Sequence, residues 1–84
     1  MIYVDTERTI FFRGAWRRHV HCTADSLVEL HQMMQQWGIP PRAFHDKPGL
    51  PHYDLFDEAI EFVLNQGALQ VVRREFIRLA KLCR

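Results

Sequence analysis

The sequence predicts an α/β domain, with α+β as the neighbouring option, in which a small mixed sheet of about three or four short strands is covered by three helices. Apolar residues recur at helical spacing in three stretches, around Leu27 to Trp37, Leu55 to Val63 and Phe76 to Cys83. Short β-favouring runs stand before or between them. Glycine or proline punctuates most of the boundaries.

Ile2, Tyr3 and Val4 make the first strand, which stops at Asp5 and so carries a carboxylate at its end. Thr9 to Phe12 reads as a second extended segment before Gly14. From Trp16 to Cys22 the chain alternates, with Trp16, Val20 and Cys22 on one side and Arg17, His19 and His21 on the other; Arg18 interrupts the apolar side. Ser26-Leu27-Val28-Glu29 has the form of a capping box, Leu27, Leu30, Met34 and Trp37 follow on one helical face, and Gly38 supplies the stop. Gly38 to His52 holds Pro40, Pro41, Pro48, Gly49 and Pro51 without any period, and is expected to be a long irregular connection. It should wall any site, anchored by Phe44 and Leu50, with His45 and His52 toward the ligand. Asp54 is placed to cap a second helix whose apolar face is Leu55, Phe56, Ala59, Ile60, Phe62 and Val63, ending at Gly67. Leu69 to Val72 is expected to be a short buried strand. A third helix buries Phe76, Leu79, Ala80 and Cys83 and turns Arg74, Arg78 and Lys81 outward.

At 84 residues the expectation is one domain, 1–84, with a modest core, so a homodimer is one way to add buried area. A composition of 48% hydrophobic and 25% charged residues argues against disorder. The formal charge of +1 supports neither a nucleic-acid nor a membrane partner by itself. Its distribution is uneven, basic from Arg8 to Arg18 and from Arg73 to Arg84, acidic from Asp54 to Glu61. No apolar run approaches the roughly 20 residues that cross a bilayer, and the N-terminus has no export signal, so a cytoplasmic protein without a membrane partner is expected. Cys22 and Cys83 have no metal-type spacing and read as reduced thiols. No phosphate-binding glycine loop, dinucleotide fingerprint or hydrolase elbow is present.

Several segments together carry a resemblance: Met1-Ile-Tyr-Val-Asp5, His21-Cys-Thr-Ala-Asp25-Ser26, Glu29-Leu30-His31, Arg42-Ala-Phe44, His52-Tyr53-Asp54, Gly67-Ala68 and Arg73-Arg74-Glu75. In this order and spacing they resemble the domain of unknown function 4031 family of small bacterial and phage proteins. The chain departs from that pattern at position 19, where the family has an aromatic residue and this chain has His19 with its Trp at Trp16, and at position 45, where the family has Gln and this chain has His45. The resemblance implies a shared fold and brings no activity with it.

The polar chemistry falls on few residues. Asp5, His21, His52 and Tyr53 are the catalytic candidates: His52 as general acid or base, with Tyr53 as proton donor or orienting group, requires a pKa near working pH and hydrogen-bond reach to a substrate. Asp25, His31, Arg73 and Arg74 are the ligand-binding candidates, with Arg74 as an anion clamp. Each has a plainer role: Asp25 and Asp54 as helix caps, His31 as a half-buried histidine, Tyr53 as a core aromatic. Arg73 and Arg74 oppose the dipole of the last helix unless phosphate or a salt bridge to Asp57, Glu58 or Glu61 offsets them. His19-x-His21 spacing sets two imidazoles about 7 Å apart on one strand face. A solvated edge strand shows the same spacing, and without a Cys pair or a His-Glu-x-x-His helix a divalent metal is not the favoured cofactor. Together these residues suit a pocket for a phosphate-containing small molecule, with phosphoester hydrolysis or transfer as the reaction class. The competing expectation is an accessory module for nucleic acid or a protein partner, using the basic stripe with Phe11, Phe12 and Trp16.

Overall fold

The computed structural model describes residues 1–84 as a six-stranded mixed sheet with three helices. In chain order the elements are β1 (Ile2–Val4), β2 (Arg8–Phe12), β3 (Ala15–Ala24), α1 (Leu27–Gln36), a 3₁₀ turn (Pro41–Ala43), β4 (Phe44–Lys47), β5 (Leu50–Phe56), α2 (Glu58–Asn65), β6 (Leu69–Gln70) and α3 (Arg73–Leu82). The mixed sheet and three helices are as expected, in an α+β arrangement. The strand count exceeds the expected three or four because of a hairpin hidden in the supposed loop.

The long strand β3 organises the sheet. One of its edges carries β5, antiparallel, with His21 opposite Asp54 and Cys22 opposite Tyr53. The other edge is shared: β2 pairs with its first half, Arg8 opposite His19, and β1 with its second half, Val4 opposite Cys22. Asp5 to Glu7 bridge the gap between those two partners. Outside β1 lies β6, parallel to it. No helix is long and apolar enough to cross a membrane.

Turn chemistry explains both hairpins. Arg13 and Gly14 have φ of 51° and 81°, the mirror-image turn whose twist suits two antiparallel strands. Pro48 and Gly49, the latter at φ 81°, join Lys47 to Leu50 as proline-then-glycine does in a type II turn. The segment expected to be irregular from Gly38 to His52 is therefore largely a 3₁₀ turn and a β-hairpin. Asp54 also differs from expectation: it sits within β5, and the residue before α2 is Asp57, at φ 51°. Arg17 Nε at 2.8 Å and the Arg18 amide at 3.1 Å hold the Asp57 carboxylate, which restrains that backbone conformation.

Alternation along the strands divides the side chains between two faces. Val20 and Cys22 of β3, Ile2 and Val4 of β1 and Leu55 of β5 meet Leu30 and Met34 of α1 and Ile60 and Val63 of α2 in the main core. Burial of each such side chain contributes about 1.5–3 kcal/mol. Helix α1 forms as its sequence predicts: Ser26 Oγ accepts the Glu29 amide at 3.1 Å, and Gly38 ends the helix at φ 75°. The Glu29 carboxylate pairs with the Met1 amino group, so only half of the capping box is made. Helix α3 covers part of the opposite face, its Phe76 ring 6.1 Å from that of His21. The strand expected at Leu69 to Val72 is only Leu69–Gln70, and both Leu69 and Val72 are exposed.

Candidate metal centre

On the α3 side of the sheet, β3 presents His19 and His21, β5 presents His52 and Asp54, and β4 adds His45. The register that pairs His21 with Asp54 and His45 with His52 brings all five side chains together. The Asp54 carboxylate lies at their centre. Nε2 of His45 is 2.7 Å from Oδ2, and Nε2 of His19, His52 and His21 are 2.9, 3.7 and 3.8 Å from Oδ1. An open cavity of about 610 Å³ adjoins the cluster, lined also by Ile10, Phe12 and Lys47.

Two of the imidazoles are oriented from behind. His21 Nδ1 is 2.7 Å from Asp5 Oδ2, and the other Asp5 oxygen accepts the His21 amide at 2.8 Å. His52 Nδ1 donates to the Leu50 carbonyl at 2.8 Å. Both contacts place the proton on Nδ1 of the neutral ring and turn the Nε2 lone pair toward Asp54. An Arg8 guanidinium nitrogen, which can only donate, lies 3.4 Å from His21 Nε2 and supports that tautomer. A carboxylate or carbonyl behind a histidine is the usual setting of a metal-bound imidazole.

Electrostatics agree with this arrangement. Burial opposes ionisation of Asp5, but hydrogen bonds from the His21 ring and amide, with the nearby Arg73 guanidinium, outweigh it and hold the carboxyl below its usual value. Burial likewise opposes ionisation of Asp54, and the His19 hydrogen bond with the surrounding imidazoles leaves its pKa lowered. Burial lowers the pKa of His52, against the pull of the Leu50 carbonyl and Asp54, and so favours the neutral ring that a metal requires.

The donor set fits a divalent transition metal. The candidate donor atoms of His19, His21 and Asp54 lie within 4.8 Å of one another. Tetrahedral ligands at the usual 2.0–2.1 Å stand about 3.3 Å apart, between the 2.9 and 3.8 Å separations seen here. Imidazole with one carboxylate suits zinc and its neighbours better than magnesium or calcium. His19 is the least conventional member, because its Nδ1 is buried with no hydrogen-bond partner.

The sequence-based candidates separate accordingly. Asp5, His21 and His52 share one site although they are far apart in the chain. Tyr53 does not: it points through the opposite face of β5, where its hydroxyl lies 2.7 Å from His31 Nδ1, so neither Tyr53 nor His31 reaches the cluster. Asp25 accepts from the Tyr3 hydroxyl at 2.8 Å and pairs with the Met1 amine, away from the histidines. Arg73 points to Asp5 at 3.8 Å rather than to the preceding helix, where Asp57 and Glu61 are taken by Arg17 and Arg18. Arg74 is exposed and lines neither the histidine cavity nor its neighbours. Phe44 packs on the core while His45 and His52 face the cavity. Burial pushes the Cys22 thiol well above its ordinary pKa, which removes it as a nucleophile. Asp54 is the cluster residue that the sequence reading placed elsewhere, as a helix cap, and the alternation of polar His52 and Asp54 with apolar Pro51, Tyr53 and Leu55 is the signal for it.

The sequence matches no curated protein and no solved structure. It does match a family described as Protein of unknown function (DUF4031) over residues 2–82, nearly its whole length, and the chain belongs to that family.

Proposed function

We propose that the domain binds a divalent transition metal at the His19, His21, His45, His52 and Asp54 cluster and hydrolyses a phosphate ester there. The observation that carries this reading is the convergence of four imidazole Nε2 atoms on a single carboxylate, two of them oriented from behind by Asp5 and the Leu50 carbonyl. Bound there, a zinc-class cation would supply Lewis acidity and bring the pKa of a coordinated water to about 7. The chain's own groups would do the rest. Arg8 and Lys47 would hold the anionic ester at the rim, and Asp5 would keep His21 in the coordinating tautomer.

Titrating the metal-free chain with zinc against a chromophoric chelator should give one ion per chain. The His21→Ala and Asp54→Ala variants should lose it, together with cleavage of bis(4-nitrophenyl) phosphate. No stoichiometric binding, or equal binding by His21→Ala, would refute the metal reading and leave the accessory-module alternative. Zinc binding without cleavage would refute the hydrolytic part alone.

A further inference from the structure

A second cavity, of about 440 Å³, opens beside the histidine cluster. The two cavities share Phe12, His45, Asp54 and Phe56, so they form one continuous depression with Asp54 at the junction. The second is lined by Arg13, Arg17 and Arg42, and Asp54 is its one acidic residue.

The ion pairs of the chain sort its cations into two groups. Arg17, Arg18, Arg73 and Arg78 are each paired with a carboxylate. Arg13 and Arg42, which line the second cavity, Lys47, which lines the first, and Arg8, which lies 3.4 Å from His21 Nε2, have no such pair. Arg74, Lys81 and Arg84 are also unpaired but line neither cavity. Of the two free guanidiniums in the second cavity, that of Arg13 lies over the Phe12 ring at 5.2 Å, from a turn with restricted backbone, while Arg42 has its backbone set by the 3₁₀ turn that opens at Pro40-Pro41. A fixed guanidinium fork matches phosphate oxygens two at a time and loses little freedom on binding.

We infer that the Arg13–Arg42 cavity is the subsite for a second phosphate of the substrate, linked to the one acted on at the histidine cluster. This rests on the proposed phosphoester chemistry and narrows it to substrates with phosphates in series. A nucleoside diphosphate or a nucleic-acid strand would present that chemistry. An isolated phosphate engaged at the histidine cluster would leave the Arg13 and Arg42 guanidiniums unused.

Calorimetric titration of the full chain, without metal and after zinc addition, tests this with inorganic phosphate, pyrophosphate and the dinucleotide pdTpdT. Pyrophosphate, the dinucleotide or both should bind roughly tenfold tighter than phosphate. The Arg13→Asn/Arg42→Ala double variant should lose that preference while keeping the affinity for phosphate and the zinc stoichiometry. Both residues are exposed, and Asn tolerates the positive φ at position 13, so the fold is retained. Preference for pyrophosphate alone identifies a diphosphate substrate, and preference for the dinucleotide identifies a strand. Equal binding of all three probes, or a preference that survives the double variant, would overturn the inference. If the wild type binds no zinc yet shows a preference that depends on these arginines, the second subsite stands and the metal reading falls.

Discussion

Replacing Asp5 with Asn tests how far the cluster depends on a residue that no ligand would touch. In the wild type the carboxylate takes two donors at once, His21 Nδ1 at 2.7 Å and the His21 amide at 2.8 Å. An amide side chain has one acceptor oxygen, so in either orientation its NH₂ group meets one of those donors. Hydrogen bonds to a charged group are worth about 1.5–3 kcal/mol and neutral ones about 0.5–1.5 kcal/mol. Losing one bond and weakening the other therefore costs about 2.5–4.5 kcal/mol. That is a large share of the ~4–13 kcal/mol expected for a domain of this length, and it lowers Tm by at least roughly 10 °C. His21 can escape the conflict by moving its proton to Nε2, but that proton then fills the position a metal would take. Zinc affinity should fall about 10- to 100-fold. Chelator competition at 15 °C, where the variant remains folded by circular dichroism, measures the affinity, and thermal melts measure the stability. An Asp5→Asn chain that binds zinc within twofold of wild type would show that Asp5 does not set the His21 tautomer. A Tm within 2 °C of wild type would refute the accounting of the two bonds.

The lowered pKa values of His52, Asp5 and Asp54 predict acid lability in two stages. Unfolded His52 takes its proton near pH 6.5 and the folded ring only at lower pH, so the unfolded state binds more protons in that window and stability falls as the solution is acidified through it. The contributions of Asp5 and Asp54 are complete above about pH 4 and are lost as pH falls through their depressed folded values. Urea midpoints at pH 7, 5 and 3 should decline at each step, and an identical decline from pH 7 to 5 in His52→Ala would remove His52 as the cause of the first. Gly49→Ala should cost about 1–2 kcal/mol from its positive φ alone, since an added Cβ meets nothing within 4 Å. Equal urea midpoints for Gly49→Ala and wild type would show that this turn does not hold the β4–β5 hairpin.

The parts of the fold that could be read in advance were those in which packing imposes a period. Helix α1 has Leu27, Leu30, Met34 and Trp37 on one face and a serine cap, and it forms where that pattern lies. The β4–β5 hairpin escaped because β4 is a polar edge strand, with His45, Asp46 and Lys47 all exposed, and burial leaves no alternation there to read. Its turn was still written in Pro48-Gly49. Read as a loop and a helix start, this stretch makes His52 and Tyr53 look like neighbours in one site and Asp54 like a helix cap. The pleat sends Tyr53 to the opposite face and unites His52 and Asp54 with residues 19, 21 and 45. The role of Asp5 was visible from its place at a strand end, but its partner depended on a register between β1 and β3 that no local pattern specifies.

The interruption between β1 and β2 has a consequence for how this site is able to change over evolutionary time. Where a continuous strand would have offered its backbone to β3, the chain leaves Val20 and His21 facing Asp5, whose amide donates to the His21 carbonyl while its side chain accepts the His21 amide. One residue thus completes the sheet edge and sets the ring beside it. Folding alone therefore holds the acid at position 5, since its bonds to the residue-21 backbone close the sheet edge whatever side chain stands there. The side chains of His19, His45 and Asp54 make their polar contacts only within the cluster, so the backbone places no such demand on them.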